Sequence, residues 1–260
     1  MVHRSTPLHS LAPAHLSLIV AMLASATWAP TALAKDADSR WSLGLGVATI
    51  DKVYRDYDRE ILPLPLVSYE SERFSIGIPV SDFKLYSTHA LSFRLRARFS
   101  NDGYEADDSP FLAGMSDRKF SLWAGGAVVW HTHLADISAE FLADALGNSK
   151  GTRAKVQMDR RFAAGKFGIT PRIAAEWLDD KYVDYYYGVK QSEVRAGRAF
   201  HEGKSTTNLQ VGLRVDYMPA RTHLFFLDVG STRVGSGIEA SPLVDTTRQT
   251  SLGLGYVHRF

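Results

Sequence analysis

The sequence predicts an all-β fold: a closed, transmembrane, antiparallel up-and-down β-barrel of about twelve strands, with long extracellular loops and short periplasmic turns. Three observations predict it. Apolar and polar residues alternate along much of the chain, which is typical of strands whose two faces meet different surroundings. Several alternating stretches run to about ten residues, the length that a tilted strand needs to cross a bilayer. Long and short connections alternate between these stretches, as in outer-membrane barrels.

The composition excludes several other classes of protein. Lys and Arg total 30 against 28 for Asp and Glu, so the net charge of +2 is too small to predict a nucleic-acid partner. The chain has no cysteine, which excludes a disulfide scaffold and cysteine-based metal sites. No apolar run approaches the roughly 18 to 20 residues of a membrane-spanning helix. A soluble domain or a membrane β-barrel remains.

The first 34 residues have the features of a cleaved signal peptide. Arg4 precedes a mostly apolar stretch over residues 16–29, and Ala32 and Ala34 occupy the small-residue positions that signal peptidase requires. We therefore expect residues 1–34 to be removed and residues 35–260 to form one barrel domain. The predicted location is the cell outer membrane of a Gram-negative type of cell.

The clearest alternation covers residues 91–99. Its apolar face consists of Leu91, Phe93, Leu95, Ala97 and Phe99. Its polar face consists of Ser92, Arg94, Arg96 and Arg98. Three arginines on one strand face need charged partners or water, so this face cannot border a dry apolar core.

The same period of two predicts the remaining strands. They are expected at residues 41–50, 61–70, 74–80, 82–87, 119–131, 135–141, 153–159, 167–177, 209–217, 223–231 and 248–260. A soluble β-sandwich would also show alternation, because its polar faces are solvated and its apolar faces pair in one core. Strand length favours the barrel, since soluble strands average roughly five or six residues. Outer-membrane lipid is then the expected partner of the apolar faces.

Aromatic placement also favours the barrel. Phe120 and Trp130 end one apolar face and lie ten positions apart, as do Phe167 and Trp177. At roughly 3.3 Å per residue and a tilt near 45°, this spacing spans about 23 Å, the height of the apolar band between two aromatic girdles. The chain ends on Phe260 in a stretch that places Tyr256 on the same face, an ending that resembles the aromatic assembly signal of outer-membrane barrels.

The polar faces predict a charged lumen. The charged residues expected there are Arg94, Arg96, Arg98, Asp136, Glu140, Arg153, Arg172, Glu176, Arg214 and Asp216, together with Lys155, Asp159 and Asp228. They could neutralise one another in an ion network, because confined charges persist when paired. They could also line a channel that selects solutes by charge. The sequence leaves both interpretations open.

Motifs in the long connections resemble those of the MipA/OmpV family of outer-membrane proteins. The resemblance covers essentially the whole mature chain, and the alternating Leu-Pro stretch at residues 62–66 belongs to it. The other motif residues are Asp107, Asp108, Gly114, Met115, Arg118, Tyr186, Tyr187, Gly188, Glu193, Ser241 and Pro242. The resemblance implies a scaffold or interaction protein of murein synthesis and turnover, with a lytic transglycosylase and a penicillin-binding protein as partners.

The resemblance also implies an alternative function, a small-solute porin or an osmotic-response or adhesin protein. Because the motifs fall in expected outer loops, we hypothesise that these loops fold back into the lumen and maintain the fold. The tyrosines at residues 185–187 are expected to anchor the barrel mouth at the lipid headgroups; the alternative is a platform on which the sugars of murein or surface glycans stack. In residues 191–199, a short helical turn with Glu193 and Arg195 exposed is weighed against an irregular loop.

No motif predicts catalysis, a cofactor or a metal. His131 and His133 would share one strand face, and Asp136 lies near them in sequence, but no third metal ligand has a fixed spacing. Nucleophile-elbow, P-loop and dinucleotide-binding motifs do not occur. We therefore expect a non-enzymatic protein without a cofactor.

Overall fold

The computed structural model describes residues 40–260, which form one antiparallel sheet with short helices in its connections. The expected signal peptide over residues 1–34 lies outside the described residues. Within residues 40–260, no helix has the length and apolar character needed to span a membrane.

Thirteen β-segments follow one another along the chain. They are β1 Arg40–Asp51, β2 Glu60–Glu70, β3 Phe74–Gly77, β4 Val80–Ser87, β5 Leu91–Ser100, β6 Ser121–His131, β7 Asp136–Asp144, β8 Thr152–Asp159, β9 Phe162–Ala164, β10 Phe167–Leu178, β11 Thr206–Ala220, β12 His223–Arg233 and β13 Arg248–Arg259. Helix α1 (Asp180–Tyr187) and a 3-10 turn (Gln191–Glu193) lie between β10 and β11, and α2 (Ser236–Glu239) lies between β12 and β13.

The sheet closes on itself as a twelve-stranded antiparallel barrel. Each strand pairs with its sequence neighbour, and β13 pairs with β1 from Ser42 opposite Arg259 to Asp51 opposite Thr250. Segments β8 and β9 both pair with β10, so they form one strand position interrupted at residues 160–161. The prediction of a closed, antiparallel barrel of about twelve strands is confirmed.

Strand β3 is shorter than expected and explains the prolines of β2. It pairs with β2 only over Ser68–Glu70, so residues 60–67 of β2 have β1 as their sole strand neighbour within the described sheet. Pro63 and Pro65 lie in this stretch. Proline lacks an N–H donor and is tolerated where a strand edge has no ladder to complete. The strand expected over residues 74–80 ends at Gly77 in the structure, and Ile78 and Pro79 connect it to β4.

The outer face of the barrel is apolar. Leu45, Ile61 and Leu209 are 74%, 68% and 58% exposed, respectively. Many other outward leucine, isoleucine and valine side chains are also exposed. A surface of this size would drive association in water, and it suits contact with lipid acyl chains. Aromatic pairs follow one rim, where Trp41 packs against Tyr69 with ring centroids 4.8 Å apart.

Connection lengths differ at the two ends of the barrel. We call the end with short connections the turn end; its connections span residues 71–73, 88–90, 132–135, 165–166 and 221–222. We call the opposite end the loop end; its connections span residues 52–59, 78–79, 101–120, 145–151, 179–205 and 234–247. Only the connection at residues 78–79 departs from the alternation of long and short. Nearly all of the irregular backbone lies at the loop end, so the connections there are long enough to cover the lumen.

Candidate functional site

The lumen has two chemically different walls. Inward side chains of β1, β2, β12 and β13 form the apolar wall, consisting of Ala48, Ile50, Leu62, Leu64, Leu66, Leu224, Phe226 and Val257. Inward side chains of β4 to β11, together with Asp228 of β12, form the charged wall. The alternating Leu-Pro motif of β2 thus directs its leucines into the lumen and its prolines toward the outside.

Arg96 is central to one half of the charged wall. Its Nε and Nη2 atoms each donate to the Asp82 carboxylate at 2.8 Å, and its Nη1 donates to Glu140 at 2.5 Å. Arg98 donates to the same Glu140 oxygen at 2.8 Å, and Arg94 donates to Asp82 at 3.1 Å. Two carboxylates thereby bridge three arginines, which compensates charges that the lumen has removed from water.

A second set of ion pairs continues around the wall. Arg153 donates to Glu176, whose other oxygen accepts from Gln210 at 2.8 Å. Arg172 makes two hydrogen bonds to Asp228, at 2.9 and 2.6 Å. These pairs join neighbouring or nearby strands, so they also fix the register in which the strands lie.

Two of the expected lumen residues lie near the turn end. Asp136 contacts His131, with 2.7 Å between Oδ1 and Nδ1, and among the described residues it forms no ion pair with an arginine of the charged wall. Asp216 accepts from Arg214 at 2.8 Å and from Arg161. Asp82 and Arg161 were missing from the sequence-based set, whereas Asp228 was expected there and pairs with Arg172. Asp82 lies directly opposite Arg96 in the β4–β5 register, a signal that needs the strand pairing to be known.

The charged side chains are buried, which identifies a filled lumen. Arg96, Glu176 and Asp228 are only 4%, 5% and 3% exposed, respectively. Inward side chains of a water-filled pore would remain accessible to solvent. Near the loop end, a cavity of about 20 Å³ is lined in part by Lys52, Asp102 and Tyr187, enough space for roughly one water molecule.

Loop-end connections form an apolar cluster above the charged wall, here the loop plug. Its members are Val53, Tyr54, Tyr104, Leu112, Met115, Tyr182, Val183, Tyr186, Tyr187, Val189, Val234, Ile238, Leu243 and Val244, packed on the strand residues Trp123, Leu142 and Leu178. The aromatic rings of Tyr54 and Tyr187 stack with centroids 5.3 Å apart. The cluster joins four connections across the barrel mouth.

Helix α1 brings its tyrosines into the loop plug. Asp179 caps the helix, because its side chain accepts a hydrogen bond from the Tyr182 backbone N–H at 2.8 Å. Tyr186 is fully buried and Tyr187 is 8% exposed. The expectation that these tyrosines anchor the barrel at lipid headgroups is therefore wrong. Their hydroxyl groups find partners within the plug, as Tyr186 does by donating to the Lys119 carbonyl at 3.1 Å.

A buried ion pair ties two motif loops together. Arg118 Nη2 donates to both oxygens of Glu193, at 3.1 and 3.0 Å, and Arg118 Nε donates to the Tyr185 carbonyl at 2.6 Å. Glu193 also accepts from the backbone N–H groups of Ser116 and Lys190, at 3.0 and 2.9 Å. Although burial opposes its ionisation, these backbone donors and Arg118 lower the pKa of Glu193 to about 2. The expected exposure of Glu193 is wrong: it is 3% exposed.

The other motif residues shape the same loops. Gly114 adopts a φ of 81°, which glycine reaches without strain, and Met115 is buried in the loop plug. Ser241, next to Pro242, donates its hydroxyl to the Tyr187 carbonyl at 2.6 Å, and the N–H of Gly188 donates to the Asp184 carbonyl at the end of α1. These contacts hold the α2 connection against α1.

The two acidic residues of the first motif loop lie on the surface. Asp107 is exposed, and Asp108 accepts from the Tyr57 hydroxyl at 3.1 Å and from the Glu105 N–H at 2.8 Å. Asp108 therefore stabilises a local turn and joins it to the β1–β2 connection.

Sequence reasoning missed one further arginine of the plug. Arg198 is 2% exposed and donates to the carbonyls of Phe111, Ala113 and Glu193, at 2.6, 3.2 and 2.9 Å. Its contacts with Phe111 and Ala113 are with backbone carbonyls of a loop distant in sequence, so no spacing rule predicts them.

The residues weighed for catalysis and metal binding are not gathered into a reactive site. His131 contacts Asp136 at the turn end. Over the described residues 40–260, no three His, Asp or Glu side chains are placed to hold a metal ion. At the chain end, Tyr256 contacts His223 at 2.8 Å, and the exposed Phe260 donates its N–H to the Trp41 carbonyl at 3.0 Å.

Comparison with known proteins agrees with this architecture. Residues 43–260 match the model of the family described as MltA-interacting protein MipA. The chain belongs to the MipA family. It is 25% identical over 227 residues to the MltA-interacting protein of Escherichia coli (strain K12), covering 86% of this chain and 92% of that protein. It is 22% identical to outer membrane protein OmpV of Vibrio cholerae, with 86% and 88% covered.

Solved structures similar to this MipA-family chain are outer-membrane barrels. One is an outer membrane channel from Pseudomonas putida F1, with a TM-score of 0.43, 14% identity and coverage of 86% of this chain and 96% of that one. Another is the NanC porin, with a TM-score of 0.41, 10% identity and coverage of 85% and 99%. The closed antiparallel barrel and the similarity to outer membrane protein OmpV identify this MipA-family chain as an outer-membrane β-barrel protein.

Proposed function

We propose that this MipA-family protein is a closed docking barrel, a non-enzymatic scaffold linked to murein synthesis and turnover, and not a pore. The filled lumen is the observation that carries the proposal. Paired charges occupy its middle, and the loop plug covers its loop end. A barrel with this interior offers its surface and its rims for binding, because its interior has little free space for a solute.

The proposed orientation places both chain ends and the turn end toward the periplasm, where murein enzymes are located. The even number of strands supports it, since both chain ends then lie on one side. The motif residues would maintain the loop plug on the outer side, away from those enzymes. The docking surface would lie on the turn end, where Leu134 is 75% exposed between β6 and β7.

The partners proposed are a lytic transglycosylase and a penicillin-binding protein. The name of the Escherichia coli relative supports the first, because that protein is called MltA-interacting protein. The link to a penicillin-binding protein comes from the resemblance to the family alone. Contact with outer-membrane lipid is proposed for the apolar outer face.

A binding experiment tests the docking role. Immobilised, detergent-solubilised barrel is expected to retain a purified lytic transglycosylase, and Leu134→Glu is expected to reduce the retained amount at least tenfold. Leu146→Glu is the matched control, because Leu146 is an exposed leucine at the loop end. Equal retention by a barrel of unrelated sequence, or equal loss with both variants, would reject docking at the turn end.

A further inference from the structure

Arginines gather around a single carboxylate where the lumen opens at the turn end. The group consists of Arg161 between β8 and β9, Arg214 and Asp216 of β11, and Arg259 of β13; it is called the arginine mouth here. Asp216 is 4% exposed, and its two oxygens accept from Arg214 and Arg161, respectively. The carboxylate is thus already shared between two guanidinium groups.

Arg259 makes no direct ion pair with this carboxylate in the described part of the chain, where Asp216 pairs with Arg161 and Arg214. It is half-buried, and its Nη1 lies 3.7 Å from the sulfur of Met218. Over residues 40–260 it has no carboxylate at ion-pair distance; the negative charge of Asp216 acts on it from farther away, and the positive charges of Arg161, Arg214 and Arg40 oppose that attraction. In the middle of the lumen, by contrast, Arg96 bridges two carboxylates.

The arginine mouth therefore has an excess of positive charge. Its three guanidinium groups and one carboxylate have a net charge of +2, before the exposed Arg40 on the adjacent strand is considered. Like charges held together in a partly desolvated space repel one another, and an anion between them relieves that repulsion.

The residues around the arginine mouth leave it accessible to a ligand and place apolar side chains beneath it. The Arg161 side chain is 28% exposed, and it occupies space left by Gly168, where an added Cβ would lie 2.3 Å from its Nη2. Arg214 covers the ring of Phe226 with 4.2 Å between its Cζ and the ring centroid. Phe226 belongs to an apolar cluster that includes Met218. A ligand entering from the turn end would meet guanidinium groups first and apolar side chains beneath them.

We propose that the arginine mouth is an anion-binding site that takes a carboxylate or phosphate group. The oxyanion would lie between Arg259 and Arg161, because the planar guanidinium fork matches both groups. The apolar floor would accommodate the first carbon atoms attached to the anion. The site itself is independent of the docking role, and only its access from the periplasm rests on the proposed orientation.

Direct binding measurements test the site. The full mature chain in detergent is titrated with inorganic phosphate, with acetyl-alanyl-alanine, and with the C-terminal amide of that peptide. We expect at least one of the two anions to bind, the amide not to bind, and Arg259→Gln to weaken binding about tenfold or more. Arg248→Gln is the matched control, because Arg248 is an exposed arginine at the other end of β13. Binding of phosphate alone or of the peptide alone identifies the source of the oxyanion.

A second measurement covers the case in which Arg259→Gln does not assemble. The unfolding temperature of the wild-type barrel is compared in phosphate, in the acetylated dipeptide and in chloride at equal ionic strength, since a bound anion stabilises the folded state by mass action. A higher unfolding temperature in either oxyanion supports the site. Binding of neither probe, or equal binding by the Arg259→Gln and Arg248→Gln variants, overturns it. The docking experiment uses neither probe and stands or fails separately.

Discussion

Single buried charges hold the connections of this barrel in place. Glu193 is an example: its carboxylate accepts from the Arg118 side chain and the Ser116 backbone N–H of another loop, and from the Lys190 backbone N–H of its own loop. Removing one member of a buried ion pair is costly, since the other charge is left without a partner. The loop plug therefore depends strongly on a few side chains.

Glu193→Gln is expected to loosen the loop plug without unfolding the barrel. The loss of charge from a buried pair costs about 3 kcal/mol, which corresponds to cleavage of residues 179–205 on the order of 100-fold faster when protease attacks the transiently open loop. Limited proteolysis of the folded barrel measures this rate. Glu202→Gln, in an exposed residue of the same loop, is the control. Similar cleavage rates for the two variants would contradict the role given to the pair.

The same residue predicts a pH dependence. The folded-state pKa of Glu193, about 2, lies below its ordinary value of 4.5, so ionisation stabilises the plug above about pH 4.5. That contribution is expected to fall as pH decreases from 4.5 toward 2. Pepsin cleavage of the loop across this range measures the change, and the Glu193→Gln variant should lack this component. A component of the same size in the variant would assign it to other groups.

At the residue scale, period two predicts which side of a strand a side chain occupies but not its partner. Arg96 could be assigned to the lumen because its strand alternates clearly. Asp82 could not be assigned to Arg96, since the pairing depends on the register between β4 and β5 and on a short β3 that the sequence does not reveal.

The elements differ in how closely the structure follows local sequence. Strands β5, β6 and β10 begin and end within two residues of the expected positions, because long alternating runs identify them. Helix α1 was not predicted, since its eight residues contain three consecutive tyrosines and resemble an exposed aromatic run. Its helical form depends on the Asp179 cap and on burial against other loops.

Helix α1 and the connection that follows it lie so close together at Gly203 that we expect no larger side chain to fit there. A Cβ at Gly203 would lie 2.1 Å from the Asp184 backbone nitrogen, so Gly203→Ala must displace the connection from the helix. We expect faster proteolysis of residues 179–205 in this variant while the barrel remains folded. Gly126→Ala is the control, because a Cβ there has no described atom within 4 Å. An unchanged cleavage rate in the Gly203→Ala variant would contradict this packing.

For the whole molecule, the sequence predicts closure of the barrel better than it predicts the contents of the lumen. Alternation, strand length and connection length all follow from the bilayer, so they can be recognised in one chain. Whether the lumen charges pair or line a channel depends on how loops distant in sequence pack over them. In the structure, Trp123 and Leu142 of the barrel wall contact loop residues from several connections.

The ionic conductance of the purified wild-type barrel in a planar bilayer tests the closed lumen most directly. We expect the wild-type protein to show no steady conducting state, whereas a variant lacking residues 181–203, and with them most of α1, should show more frequent conducting events. The deletion variant must first be shown to assemble, for which retained β-sheet circular dichroism is sufficient. Stable conductance steps of the wild-type protein, comparable to those of a small-solute porin, would show that the lumen is open and contradict a filled, plugged barrel.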